Sequence, residues 1–152
     1  MTQKHLSLAR NGKINEQASV RDAQSTIINA PIEKIWDHVM SIDKWHEWNS
    51  EIVTQISDQV SEGTRYDLNM RGHKFHNTIE SIKAPYLLSS NGKTKWLKCI
   101  LIWKLEKTEE YQTIASVEMS IEGILSTLFY SHHGVHSDLL NWLARLKQVA
   151  EQ

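Results

Sequence analysis

The sequence predicts an α+β fold: a curved antiparallel sheet wrapped around one long C-terminal helix, with two short helices after the first strand. Three observations carry this. Ile32, Ile35, Trp36 and Val39 recur at i, i+3, i+4 and i+7, an apolar stripe on a short helix. Residues 51–122 then run as segments of alternating polarity parted by turns, the pattern of an antiparallel meander. After Gly123 the apolar period changes to three and four and keeps that spacing to Val149.

Residues 1–17 read as a mobile lead-in, with Asn11-Gly12 as a turn, and residues 18–150 as a single domain. Ala18 to Asn29 suits a strand through Val20, Thr26, Ile27 and Ile28. Pro31 suits the first helical position, because its φ is already set and its missing N–H would be unpaired there anyway. Ser41 and Asp43 offer oxygens for a second cap. Trp45 and Trp48 follow three apart, on one face of the second short helix.

The strands come next. Ile52, Thr54 and Ile56 share a side. Tyr66, Leu68 and Met70 alternate with Arg65, Asp67, Asn69 and Arg71, and Gly72 ends that run. Phe75 and Ile79 share a face, which puts His73 and Asn77 beside them. Ala84-Pro85 interrupts, and Asn91-Gly92 signals a hairpin after the strand Tyr86–Ser90. Leu97, Cys99, Leu101, Trp103 and Leu105 make one inward row, while Ile100 and Ile102 imply partial cover on the opposite face. Thr113, Ala115, Val117, Met119 and Ile121 make another. From about Leu125 to Val149 a single helix of ~25 residues would span ~37 Å, enough to cross a small sheet. Gly134 inside it marks a bend or a close approach.

Composition narrows the function. Of 152 residues, 17 are Lys or Arg and 18 Asp or Glu, a net charge of −1. No basic stripe recommends nucleic acid or an anionic surface as partner. The single Cys99 cannot form an internal disulfide and fits a reducing, cytoplasmic setting. No stretch reaches the ~18 consecutive apolar residues of a membrane span. A Gly-rich phosphate loop, paired-cysteine metal spacing and a Gly-x-Ser-x-Gly elbow do not occur in the sequence. The expected partner is an apolar small molecule, with no cofactor and no metal, and the expected state is a monomer or weak homodimer.

One rod is too thin to fill a trough of β-structure, so the reading expects a cavity between sheet and long helix, the usual place for a small ligand. Trp36 and Trp48 would close one end. Tyr66, Leu68, His73, Phe75 and Asn77 would line the wall from two strands. Leu101, Trp103, Val117 and Met119 would line it from two more, and Phe129, His132 and His136 from the helix. His132 and His136 are i, i+4 and share a helix face, but His133-Gly134-Val135 between them lacks the glutamate of a metalloprotease motif. With Tyr66 they are the acid–base candidates. Cys99, on a strong apolar row, reads as an inert buried thiol.

The run Ile28-Asn-Ala-Pro-Ile-Glu-Lys-Ile-Trp36, then Ile42-Asp-Lys-Trp-His-Glu-Trp-Asn49, resembles the START-like (SRPBCC) superfamily, in its polyketide cyclase/dehydrase-type branch. Gly63-Thr-Arg-Tyr66, Trp103-Lys-Leu105 and the final amphipathic helix extend the likeness from about Ala18 to Val149. His46 stands where relatives often carry proline. The resemblance implies the helix-grip fold and the binding of a lipid, quinone or polyketide-like molecule. It also admits a cyclase or dehydratase using cavity His and Tyr groups. A third option is a co-chaperone-like interaction domain, which would show a filled interior and an exposed apolar patch.

Overall fold

The computed structural model describes residues 3–124 and 126–152. After a helix α1 (Gln3–Arg10) come β1 (Val20–Ile28), α2 (Ile32–Met40), a 3₁₀ turn (Ile42–Lys44) and α3 (Trp45–Trp48). Six strands follow: β2 (Ile52–Gln55), β3 (Arg65–Met70), β4 (His73–Lys83), β5 (Leu87–Lys93), β6 (Lys98–Glu109) and β7 (Gln112–Glu122). The chain ends in α4 (Ser126–Phe129) and α5 (His132–Ala150). The sheet has the order β1-β7-β6-β5-β4-β3-β2, antiparallel at each pairing. Its two edges, β1 and β2, are joined through α2 and α3, so the connection crosses the concave side and closes one end of it.

Local chemistry fixes that crossing. Pro31 stands one residue earlier than expected, as the cap of α2. Ile32, Ile35, Trp36 and Val39 are the buried face of α2, as their spacing requires. The Trp45 indole donates to the Val39 carbonyl at 2.9 Å, folding α3 back on α2. The Thr113 hydroxyl donates to Ala30 O at 3.0 Å and pins the start of α2 to β7.

The C-terminal helix is broken rather than continuous. Ser131 caps α5, its Oγ accepting from Gly134 N at 2.9 Å. Gly134 therefore belongs to a first turn and marks no mid-helix bend. Leu125, the expected start of the helix, lies outside the described residues, as do Met1 and Thr2 of the lead-in.

Two other expectations change. Asn91 and Gly92 lie within β5, and the hairpin turn falls at 94–97 instead. Residues 3–17 are not a loose lead-in. Ala9 and Ile14 pack on Leu87, Ile100 and Ile102 over the convex face, and the Ser89 hydroxyl donates to Ala9 O at 2.6 Å. The reason is in β6, which is apolar on both faces and so needs a second cover.

Candidate functional site

The candidate site is the layer between the concave face and α5. One row of directly paired residues crosses the sheet there: Tyr66, Asn77, Gly92, Cys99, Ile121 and Val20. Two members of this row, Tyr66 and Asn77, are polar. The Tyr66 and Ser90 hydroxyls lie 2.7 Å apart, and both residues are buried. The Asn77 amide sits against Gly92, where a Cβ would come within 1.6 Å of Asn77 Oδ1. Glycine is thus required by close approach of a neighbouring side chain.

Aromatic rings frame this polar group. Trp45 meets Tyr66 edge-on, with centroids 6.0 Å apart. Trp103 packs 6.2 Å from both Trp45 and Trp48. Several polar atoms in this layer have no partner among the described residues: the indole nitrogens of Trp48, Trp103 and Trp142, Asn49 Nδ2 and Asn77 Oδ1. Such a buried atom costs ~1–3 kcal/mol while unpaired.

The side chains themselves fill the trough. Leu68, Phe75, Val117 and Leu139 expose nothing, and Trp103 and Leu143 only 1%. Space for even a water molecule is therefore missing along these contacts. The expected open room is taken by Trp45, Trp103, Trp142, Phe75 and Tyr66, whose bulk the argument from a thin rod left out.

Burial also sets the chemistry. It pushes the Tyr66 phenol up to about 12, against the pull of its hydrogen bonds with Ser90 and Asn77. It pushes the Cys99 thiol up to about 12 as well. Both hold their protons at neutral pH, so Tyr66 is suited to hydrogen bonding and Cys99 is a poor nucleophile.

The remaining candidates divide. Trp36, Leu101 and Met119 are buried in the same core. His73 is half-buried at the far end of the trough, its Nδ1 3.0 Å from the Tyr130 hydroxyl. Phe129 packs edge-on to His73 from α4 but is 42% exposed. His132 and His136 do not look into the trough. They are exposed on the β1 side, His132 Nδ1 3.3 Å from Arg21 O and His136 Nδ1 3.0 Å from Asp22 Oδ2. Within α5 they flank the buried face of Val135, Leu139 and Leu143 on the side that meets β1. Among the described residues no three His, Cys, Asp or Glu side chains are grouped to hold a metal ion. Sequence reasoning missed Ser90, Gly92, Asn49 and Tyr130. The alternation Leu88, Ser90, Gly92 along one strand would have exposed two of them, had the Asn-Gly pair not been read as a turn.

Comparison with known proteins agrees with this architecture. The family model described as polyketide cyclase / dehydrase and lipid transport matches residues 19–151. The chain belongs to this family. It is a START-like, polyketide cyclase-type domain with α1 added outside the matched region. A hypothetical protein of Helicobacter pylori is 16% identical, with a TM-score of 0.76 over 99% of this chain and 95% of that one. A START superfamily protein of Mycobacterium smegmatis is 15% identical, with a TM-score of 0.73 over 87% and 97%. A Bacillus halodurans protein is 19% identical, with a TM-score of 0.65 over 88% and 99%. These likenesses show the fold alone. No curated protein matches the sequence. Family and fold together fit a polyketide cyclase-type domain that binds a hydrophobic ligand, and no helix among the described residues is long and apolar enough to cross a membrane.

Proposed function

We propose that this protein binds an apolar small molecule bearing acceptor oxygens, of the lipid, quinone or polyketide kind, between its sheet and α5. The observation that carries the reading is the set of unpaired buried donors on Trp48, Asn49, Trp103 and Trp142 inside an otherwise apolar layer. A carbonyl or quinone oxygen would satisfy a donor that now has no partner, while the rest of the guest replaces packed side chains. Tyr66, Ser90 and Asn77 form the second polar contact, and Leu68, Phe75, Leu101, Val117 and Met119 the apolar wall.

Because the layer is filled, binding displaces side chains. The weakest closure is at α4 and Tyr130, where one short helix and two hydrogen bonds cover the end of the trough. The protein works in the cytoplasm on this reading, where Cys99 stays reduced.

A second reading draws on the same packing. A filled interior with Ile124, Leu128 and Trp96 exposed suits an interaction domain. Thermal-shift titration with quinones, fatty acids and aromatic polyketides separates the two. Ligand binding gives a concentration-dependent rise in melting temperature that Trp103→Phe weakens and His132→Ala/His136→Ala leaves unchanged. No rise with any class favours the interaction domain.

A further inference from the structure

We propose that the open end of the fold docks on an anionic lipid bilayer. At this end β4 begins, β5 turns into β6, and β7 is followed by α4. Two of these connections carry apolar side chains turned outward: Trp96 is 55% exposed, Ile124 91% and Leu128 72%. They are close in space, since Gly123 packs against the Trp96 carbonyl. Phe129 extends the lip toward His73.

The surroundings of this lip are cationic. Lys93, Lys95 and Lys98 line a cleft of about 580 Å³ together with Trp96, His76 and Glu122, and Lys95 Nζ lies 5.1 Å from the Trp96 ring. The three lysines form no ion pair among the described residues. Of the carboxylates nearby, Asp138 is paired with the Arg71 guanidinium, while Asp67 and Glu122 have imidazole partners in His76 and His5. Three lysines against the single carboxylate of Glu122 leave the lining of this cleft positive, although the whole chain carries −1.

Exposed aliphatic side chains, a tryptophan and unpaired lysines on adjacent loops are what a bilayer interface takes up. The apolar groups enter the acyl boundary, the indole sits at headgroup level, and the lysines meet the phosphates. A protein partner would not by itself require the lysines, and a soluble anion would not require Ile124 and Leu128. The lip borders the α4 closure, so docking would place the trough against the bilayer, but the proposal stands without any bound guest.

The test is co-sedimentation of the full chain with phosphatidylcholine vesicles, with and without phosphatidylglycerol, alongside Trp96 emission. The expected result is binding to the anionic vesicles only, with a blue shift that Trp96→Phe abolishes. Lys93→Gln/Lys95→Gln/Lys98→Gln should weaken binding by about 100-fold, each lysine near an anionic surface contributing roughly a factor of five. Ile124→Ser/Leu128→Ser should weaken it with no change in melting temperature, since both side chains are exposed. Absence of vesicle binding overturns the proposal, as does binding that these variants leave intact. Stabilisation by soluble glycerol phosphate without vesicle binding, or a dimer in solution dispersed by Ile124→Ser/Leu128→Ser, overturns it equally.

Discussion

The Tyr130 hydroxyl lies 3.0 Å from His73 Nδ1 and donates to the Met70 carbonyl at 3.2 Å. One phenol thereby ties the segment between α4 and α5 to the tip of the β3–β4 hairpin. Its ring packs 6.3 Å from Phe75, and burial raises its pKa, so it stays protonated as a donor. Tyr130→Phe keeps the ring and removes both hydrogen bonds. We expect a loss of about 1–2 kcal/mol in urea unfolding, with faster amide exchange across 126–131 than in the core strands.

Gly92 holds the Asn77 side chain in place by having none of its own. Gly92→Ala puts a methyl group where Asn77 Oδ1 lies and drives the amide away from Tyr66. Overpacking of this kind costs ~1–3 kcal/mol. A fall in ligand affinity larger than in a core variant of equal destabilisation, such as Ile79→Val, would tie the Tyr66–Ser90–Asn77 group to binding. Equal affinities in the two variants would remove it from the site.

Cys99 makes stability sensitive to alkali. Its thiol titrates near 9.0 in the unfolded chain and about 12 when folded. The unfolded chain therefore releases this proton first as pH rises. The contribution is fully present below about 9 and is lost between there and 12, on the order of 1.4 kcal/mol per pH unit. Cys99→Ala should lower stability at neutral pH by leaving a small void, yet flatten the decline measured by urea melts from pH 8.5 to 10.5.

Removal of residues 1–17 uncovers Leu87, Ile100 and Ile102, which α1 and Ile14 now shield. Each large apolar side chain returned to water costs ~1.5–3 kcal/mol. The shortened chain should keep the family fold, since the matched region begins at residue 19, but melt earlier and aggregate through the bared face of β5 and β6. An unchanged melting temperature would mean that α1 contributes nothing to stability.

The fold was largely legible because its signals are local. The spacing of Ile32, Ile35, Trp36 and Val39 states a helix face, and Tyr66, Leu68 and Met70 state a strand face. Ile100 and Ile102 even announced a covered convex side, although nothing local said that residues 3–17 would cover it. The site was less legible because its contacts are distant in sequence. Tyr66 meets Ser90 and Tyr130 meets His73 only through strand register and the break at Ser131. That break depends on a serine cap outweighing continuous apolar spacing. Filling of the trough was hidden for another reason: volumes of individual side chains decide it, and periodicity carries no volumes.

The central claim is that the layer between sheet and α5 accepts an apolar guest. Native mass spectrometry of protein freshly purified under mild conditions tests it most directly. The account predicts a second species, heavier by one small organic molecule that denaturation releases and that Trp103→Phe reduces. A single mass equal to the chain alone, unaltered after incubation with quinones, fatty acids and aromatic polyketides, would contradict it.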